Sequence, residues 1–173
     1  MTTIASVRLR PFEKSDAEAF TAAVNSSLNT LQPWMSWAHA HYRTEEATDW
    51  IIFTHLQRLT REAEEFAIVD DQDRFLGGAG IRFPRHDGAL PSLGYWVRSD
   101  SQRKNVARRA VEQLLIFGFS RSGVHTIEVL AAEENHASRA VAACCGGKLV
   151  GTYYGLSMLA DRPVNTSVYH FYR

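Results

Sequence analysis

The stretch Gln102-Arg-Lys-Asn-Val-Ala-Arg-Arg109 holds four cations, Arg103, Lys104, Arg108 and Arg109, within eight residues. It stands just before and inside the first turn of the clearest helical pattern in the chain. A helix start already carries about half a positive charge, so each added cation there is unfavourable by ~0.3–1 kcal/mol. Acidic residues would be the stabilising choice. The first-turn N–H groups also lack intrahelical acceptors and point outward at the same place. An anion resting on those amides, such as a phosphate or pyrophosphate, satisfies both conditions. The charges equally suit a solvated basic face in which Arg108 and Arg109 pair with Glu112, and the charge pattern does not choose between these readings.

Other side chains able to move protons lie further on. Glu128 falls within an apolar run, and Glu133 and Glu134 follow it. The last two fit plain surface solvation better. Seven histidines are scattered, and His39 and His41, the only close pair, lack a third partner for a metal. No metal site is expected. The two cysteines, Cys144 and Cys145, are adjacent and read as reduced structural thiols, not as a disulfide framework.

The elements that must position these groups follow from periodicity. Val7–Phe12 alternates apolar and basic residues and predicts a strand. Ser15 or Asp16 caps a helix running through Leu28, with Ala19, Phe20, Ala23 and Val24 as its buried stripe. Leu31-Gln-Pro-Trp-Met-Ser-Trp37 is an aromatic connection broken by Pro33. A second helix starts at Thr44 and turns Trp50, Ile51, Thr54 and Leu56 inward. Strands are expected at Glu65–Val69, Phe75–Phe83 and Leu93–Val97, with turns at Asp70–Asp73 and Arg85–Pro91. Val106–Arg121 is helical, with Val106, Ala107, Ala110, Val111, Leu114, Leu115 and Gly118 inward and Arg108, Arg109, Glu112 and Gln113 outward. A strand at Thr126–Ala131, a helix at His136–Cys145 stopped by Gly146-Gly147, and strands at Lys148–Leu159 and Val168–Tyr172 complete the order. The class is α/β (α+β), an antiparallel meander followed by strand–helix–strand units.

The chain has 173 residues, 45% of them hydrophobic and 22% charged, which predicts one domain over 1–173 with a sizeable core. With 19 basic and 19 acidic residues the net charge is zero, so no global field for nucleic acid exists. No apolar run approaches the ~20 residues of a membrane span, and the first ten residues lack a hydrophobic leader. A cytoplasmic protein with neither nucleic-acid nor membrane partners is expected.

Together these residues resemble the GNAT superfamily of N-acetyltransferases, in particular its ribosomal-protein alanine/serine N-acetyltransferase branch. Val7-Arg-Leu-Arg-Pro-Phe12 is similar to that branch's first strand, and Leu31-Gln-Pro-Trp-Met-Ser-Trp37 to its Leu-x-Pro-Trp-x-x-Trp entry to the second helix. Leu93-Gly-Tyr-Trp-Val97 looks like its fourth strand. Asn135-His-Ala-Ser138 and Cys145-Gly-Gly-Lys-Leu-Val-Gly151 resemble its Asn-x-x-Ser helix and Gly-x-x-x-x-Gly turn. In the family's Gln/Arg-x-x-Gly-x-Gly/Ala loop, Gln102, Asn105 and Ala107 take the motif places, so an asparagine stands for the middle glycine. Arg103 stands where relatives often have another.

The resemblance implies a GNAT acyl-CoA N-acyltransferase fold: a mixed, mostly antiparallel, splayed sheet of about seven strands flanked by helices. It implies acetyl-CoA, with the Val97 backbone pairing with the pantetheine arm. Gln102, Arg103, Lys104, Asn105, Val106, Ala107 and Arg108 would lie around the pyrophosphate, with Asn135 and Ser138 near the thiol end. Asn135 equally suits plain helix capping. Transfer needs a neutral amine, a polarised thioester and a protonated leaving thiolate. The family's glutamate base falls here on Leu130 and its tyrosine acid on Ala142, so neither role transfers. The branch's matching serine, Ser138, is left as proton donor, and Glu128 is the candidate base beside a water relay. The acceptor is a primary amine, on a protein N-terminus or a small molecule. Its site is expected from Trp34, Trp37, Tyr95, Trp96 and the loop around Tyr154–Val164, although Trp34 and Trp37 also suit core or lid packing. A homodimer is compatible with the family. The competing readings are a CoA-binding regulatory domain without turnover, suggested by the missing glycine and base, and a nucleic-acid module using the basic cluster.

Overall fold

Alternation along Val7–Phe12 produces a short strand, β1 (Arg8–Pro11), with Arg8 exposed and Arg10 half-buried. Arg10 bridges Asp16 at 2.8 Å and Asp73 at 2.9 Å, tying β1 to the start of the first helix and to a hairpin turn. The computed structural model describes residues 6–173. The segment from Met1 to Ala5, read above as free of a hydrophobic leader, lies outside them. Among the described residues no helix is long and apolar enough to cross a membrane.

After a single 3-10 turn at Lys14–Asp16, α1 spans Ala17–Ser26 and the one-turn α2 spans Leu28–Leu31. The predicted single helix is therefore broken at Ser27. Its buried stripe is Ala17, Phe20, Ala23 and Val24, and Ala19 is exposed. Asp16 does not cap α1; its carboxylate accepts from the Glu13 amide at 2.7 Å and from Arg10. α3 (Thr44–Leu59) begins at the predicted Thr44, the Arg43 amide before it donating to Glu46 Oε2 at 2.9 Å. Ala47, Ile51 and Thr54 face inward, whereas Leu56 is exposed.

β2 (Ala63–Val69), β3 (Phe75–Arg82) and β4 (Ser92–Val97) form the antiparallel meander. α4 (Val106–Ser120) then crosses over to β5 (Thr126–Ala132), the one strand that runs parallel to its neighbour β4. α5 (His136–Cys144) leads to the hairpin β6 (Lys148–Leu159) and β7 (Arg162–Tyr172). The seven strands lie in the order β1-β2-β3-β4-β5-β7-β6. β7 begins six residues before the predicted Val168, so the expected acceptor loop around Tyr154–Val164 is instead hairpin. Its two-residue turn is Ala160-Asp161, both at positive φ, without the Asn-Gly pair that signals such a turn.

Two cores cover the sheet. On one face α4 and α5 pack against Ile81, Leu93, Val97, Ile127 and Val129; on the other α1 and α3 pack against Ala67, Val69 and Phe75. α4 approaches closely at Gly118, where a methyl group would come within 2.7 Å of both Ile81 and Ile127. Gln113, expected to face solvent, reaches the sheet edge. Its amide donates to the Val7 carbonyl at 2.8 Å and its oxygen accepts from the Leu9 amide at 3.3 Å, covering backbone groups that an edge strand would otherwise leave bare.

Candidate active site

β4 and β5 pair only at Ser92↔Glu128 and Leu93↔Val129. Beyond that point they part, and among the described residues Gly94–Val97 have no strand partner on the β5 side. A cleft of about 1020 Å³ opens in the gap. Its mouth is the start of α4. The loop leading there holds two residues in the left-handed region, Arg103 at φ 57° and Asn105 at φ 62°. The motif has glycine at the second of these positions, and relatives often have it at the first. Asparagine tolerates that backbone better than other side chains, and the loop closes despite the substitution. No acidic residue occupies the first turn of α4.

Val97, Gln102, Arg103, Asn105, Val106, Ala107, Arg108, Asn135 and Ser138 all line this cleft. Lys104 does not; its ammonium donates to the Asp100 carbonyl at 2.9 Å. The Gln102 side-chain amide donates to the Val97 carbonyl at 3.4 Å, holding the loop against the end of β4. Arg108 pairs with Glu112 at 3.0 Å, both about half exposed, so this cation has a partner on its own helix. Arg108 and Glu112 therefore realise the solvated pair within a cleft-lining residue.

At the inner end of the gap, Tyr95 from β4 meets α5. Its hydroxyl lies 3.2 Å from Ser138 Oγ and donates to the Ser138 carbonyl at 3.0 Å. Asn135 Oδ1 accepts from the Ser138 amide at 3.2 Å, so Asn135 is the helix cap and a cleft wall at once. Burial pushes the Tyr95 hydroxyl up to about 12 against the opposing bond to Ser138, so the phenol is neutral and can donate. Glu128 is elsewhere. It pairs across the ladder with His170, their side chains 3.8 Å apart, and lines neither cleft. Burial raises its carboxyl above the ordinary range while His170 opposes the shift.

A second cavity, about 430 Å³, opens on the α1/α3 face of β3 and β4. Phe20, Trp37 and Trp96 form one aromatic wall, with Phe20–Trp96 centroids 5.3 Å apart and Trp37–Trp96 5.7 Å apart. Tyr42 stacks on Phe20 at 5.9 Å. Of the four residues expected for an acceptor, Trp37, Tyr95 and Trp96 line this cavity, whereas Trp34 lines the larger cleft instead. Leu93, Gly94, Tyr95 and Trp96 border both, so β4 is the shared wall. Glu65 and Arg82, not singled out from the sequence, complete the smaller cavity. Two adjacent glutamates in a strand read as solvated charge until the register of β2 and β3 is known.

Residues 6–148 match the model of the acetyltransferase (GNAT) domain. The chain belongs to the GNAT acetyltransferase family. Among solved structures, Mycobacterium smegmatis RimJ in complex with CoA-disulfide superposes with a TM-score of 0.84 at 26% identity, covering 96% of this chain and 81% of that one. The microcin C7 self-immunity acetyltransferase MccE, in complex with acetyl-CoA and AMP, gives 0.89 at 17% identity, with coverages of 97% and 93%. The ribosomal-protein-S5-alanine acetyltransferase of Vibrio fischeri gives 0.84 at 19%, with 98% and 94%. Comparison with curated protein sequences yields no significant match. This acetyltransferase thus shares its whole fold with enzymes of the ribosomal-protein branch, and the parted strands are where that fold departs from a continuous sheet.

Proposed function

We propose that this enzyme transfers an acetyl group from acetyl-CoA to a primary amine by direct attack in a ternary complex. The observation that carries the reading is the parting of β4 from β5 between an anion-ready helix start and an aromatic cavity. Free amides of the first α4 turn, with Arg103 and Arg108 beside them, suit the pyrophosphate. The unpaired edge of Gly94–Val97 suits the amide-bearing pantetheine arm, which adds to it as a strand would. The thioester supplies an activated acyl group at the inner end of the gap. There Ser138 Oγ, hydrogen-bonded with Tyr95, is the group we assign to protonate the departing thiolate. The amine approaches from the aromatic cavity across the β4 backbone. Protein N-termini and small-molecule amines both fit this chemistry, and the likeness to the ribosomal-protein-S5-alanine acetyltransferase of Vibrio fischeri favours a protein acceptor.

The departures from the glycine pattern do not favour a domain without turnover, because Arg103 and Asn105 adopt the backbone that glycine would supply. The test is free-thiol release from acetyl-CoA with alanine- and serine-starting peptides and a set of small amines. Amine-dependent release supports the reading; coenzyme A binding without release from any acceptor refutes it. Ser138→Ala lowers turnover by about 10²–10⁴-fold if the hydroxyl is the acid, with coenzyme A affinity nearly unchanged.

A further inference from the structure

Glu65 stands on the face of β2 that carries Ala67 and Val69 beneath α1 and α3. Its cross-strand neighbour is Gly80, which pairs in turn with Gly94 of β4. A methyl group at Gly80 would fall 1.9 Å from Glu65 Oε2, so the carboxylate lies over β3. A methyl at the neighbouring Gly78 would fall 2.7 Å from Trp96 Nε1, so the indole lies over the same strand beside it. Gly94 faces open space, and it borders both cavities. Strands are spaced by ~4.8 Å, which leaves the carboxylate about one strand from the backbone where the larger cleft begins. Three glycines thus clear a floor, with an acid and an indole standing on it.

The side chain of Glu65 is only 12% exposed, and the cation closest to it, Arg82 on β3, is 3.8 Å away and itself 65% exposed. From α3, Arg58 donates at 3.4 Å to the Glu65 carbonyl, not to its carboxylate. The other titratable groups bordering the cavity are Tyr42 and Tyr95, both neutral because burial pushes them up to about 12. A carboxylate so placed is short of compensating charge, and the aromatic faces around it are negative.

The geometry points to Glu65 as the group that receives the acceptor: it binds the ammonium of a primary amine whose apolar body lies against Trp37, Tyr42 and Trp96. This rests on the reading of the aromatic cavity as the acceptor pocket. Once bound, the ammonium gives one N–H proton to the carboxylate, leaving a neutral carboxyl group and an amine with its lone pair free for attack. Burial lifts the Glu65 carboxyl to about 7, with Arg82 opposing, so the ionised, amine-binding form gains population as pH rises through neutrality.

Phenethylamine and phenethyl alcohol, titrated against tryptophan fluorescence, separate charge from shape. Wild type is expected to bind the amine more tightly than the alcohol, and more tightly at pH 8 than at pH 6. Glu65→Gln is expected to lose about tenfold or more in amine affinity and its pH dependence, with alcohol and coenzyme A affinities retained. Glu65→Asp should recover part of the loss. Equal amine affinity in wild type and E65Q at pH 8, or no preference of wild type for the amine, overturns the assignment. These readouts are independent of thiol release, so a failure of acetyl transfer and a failure of this inference are told apart.

Discussion

Asn105 shows how a side chain is admitted where its family prefers none. At φ 62° and ψ 17° it holds the left-handed turn that launches α4, without a side-chain cap bond of its own. A non-glycine residue in that region is strained, asparagine less than others. Asn105→Gly should therefore keep or raise coenzyme A affinity, whereas Asn105→Val should weaken it by about 1–2 kcal/mol as the loop reopens; isothermal titration reads both. Much at this scale was legible from local chemistry. The cleft residues from Gln102 to Arg108 follow from one motif, and Lys104 is the exception because its reach ends at a neighbouring carbonyl. Glu65 was not legible. Nothing in Ala63-Glu-Glu-Phe66 says which carboxylate turns inward, or that it will meet glycines on two further strands.

Among the elements, β3 depends most on missing side chains. At Gly77 a methyl group would stand 2.1 Å from the Trp96 carbonyl oxygen, a backbone atom that cannot swing aside. Gly77→Ala should therefore push β4 from β3, lowering stability by about 1–3 kcal/mol or more in chemical denaturation. Because β4 is the wall shared by both cavities, the same variant should weaken coenzyme A binding. The order of helices and strands was readable because α4 carries a strong helical periodicity and β3 a short continuous apolar run. The break at Ser27 and the early start of β7 were hidden for definite reasons. Polar Ser26-Ser27 resembles ordinary helix surface, and Pro163 sits in a strand position that usually argues against a strand. Gln113 was misjudged because its partner is an edge backbone brought close only by the fold.

For the molecule as a whole, the buried Glu65 sets a pH dependence on folding. Its folded value, about 7, lies above the ordinary 4.5. The folded state thus holds more protons between these values, and stability is full below the unfolded value and falls as pH rises through the window. The loss amounts to roughly 3 kcal/mol at most, since each unit is about 1.4 kcal/mol. Glu65→Gln should flatten this slope, melting at higher temperature than wild type at pH 8 and much like it at pH 4.5; identical melting profiles at both would contradict the burial argument.

The arrangement of the two cavities on opposite sides of β4 has a kinetic corollary. If the larger cleft takes the donor and the aromatic cavity the acceptor, as proposed, the two enter by separate doors and neither obstructs the route of the other. Sterics alone impose no order of addition, and initial-rate plots for the pair should intersect instead of running parallel.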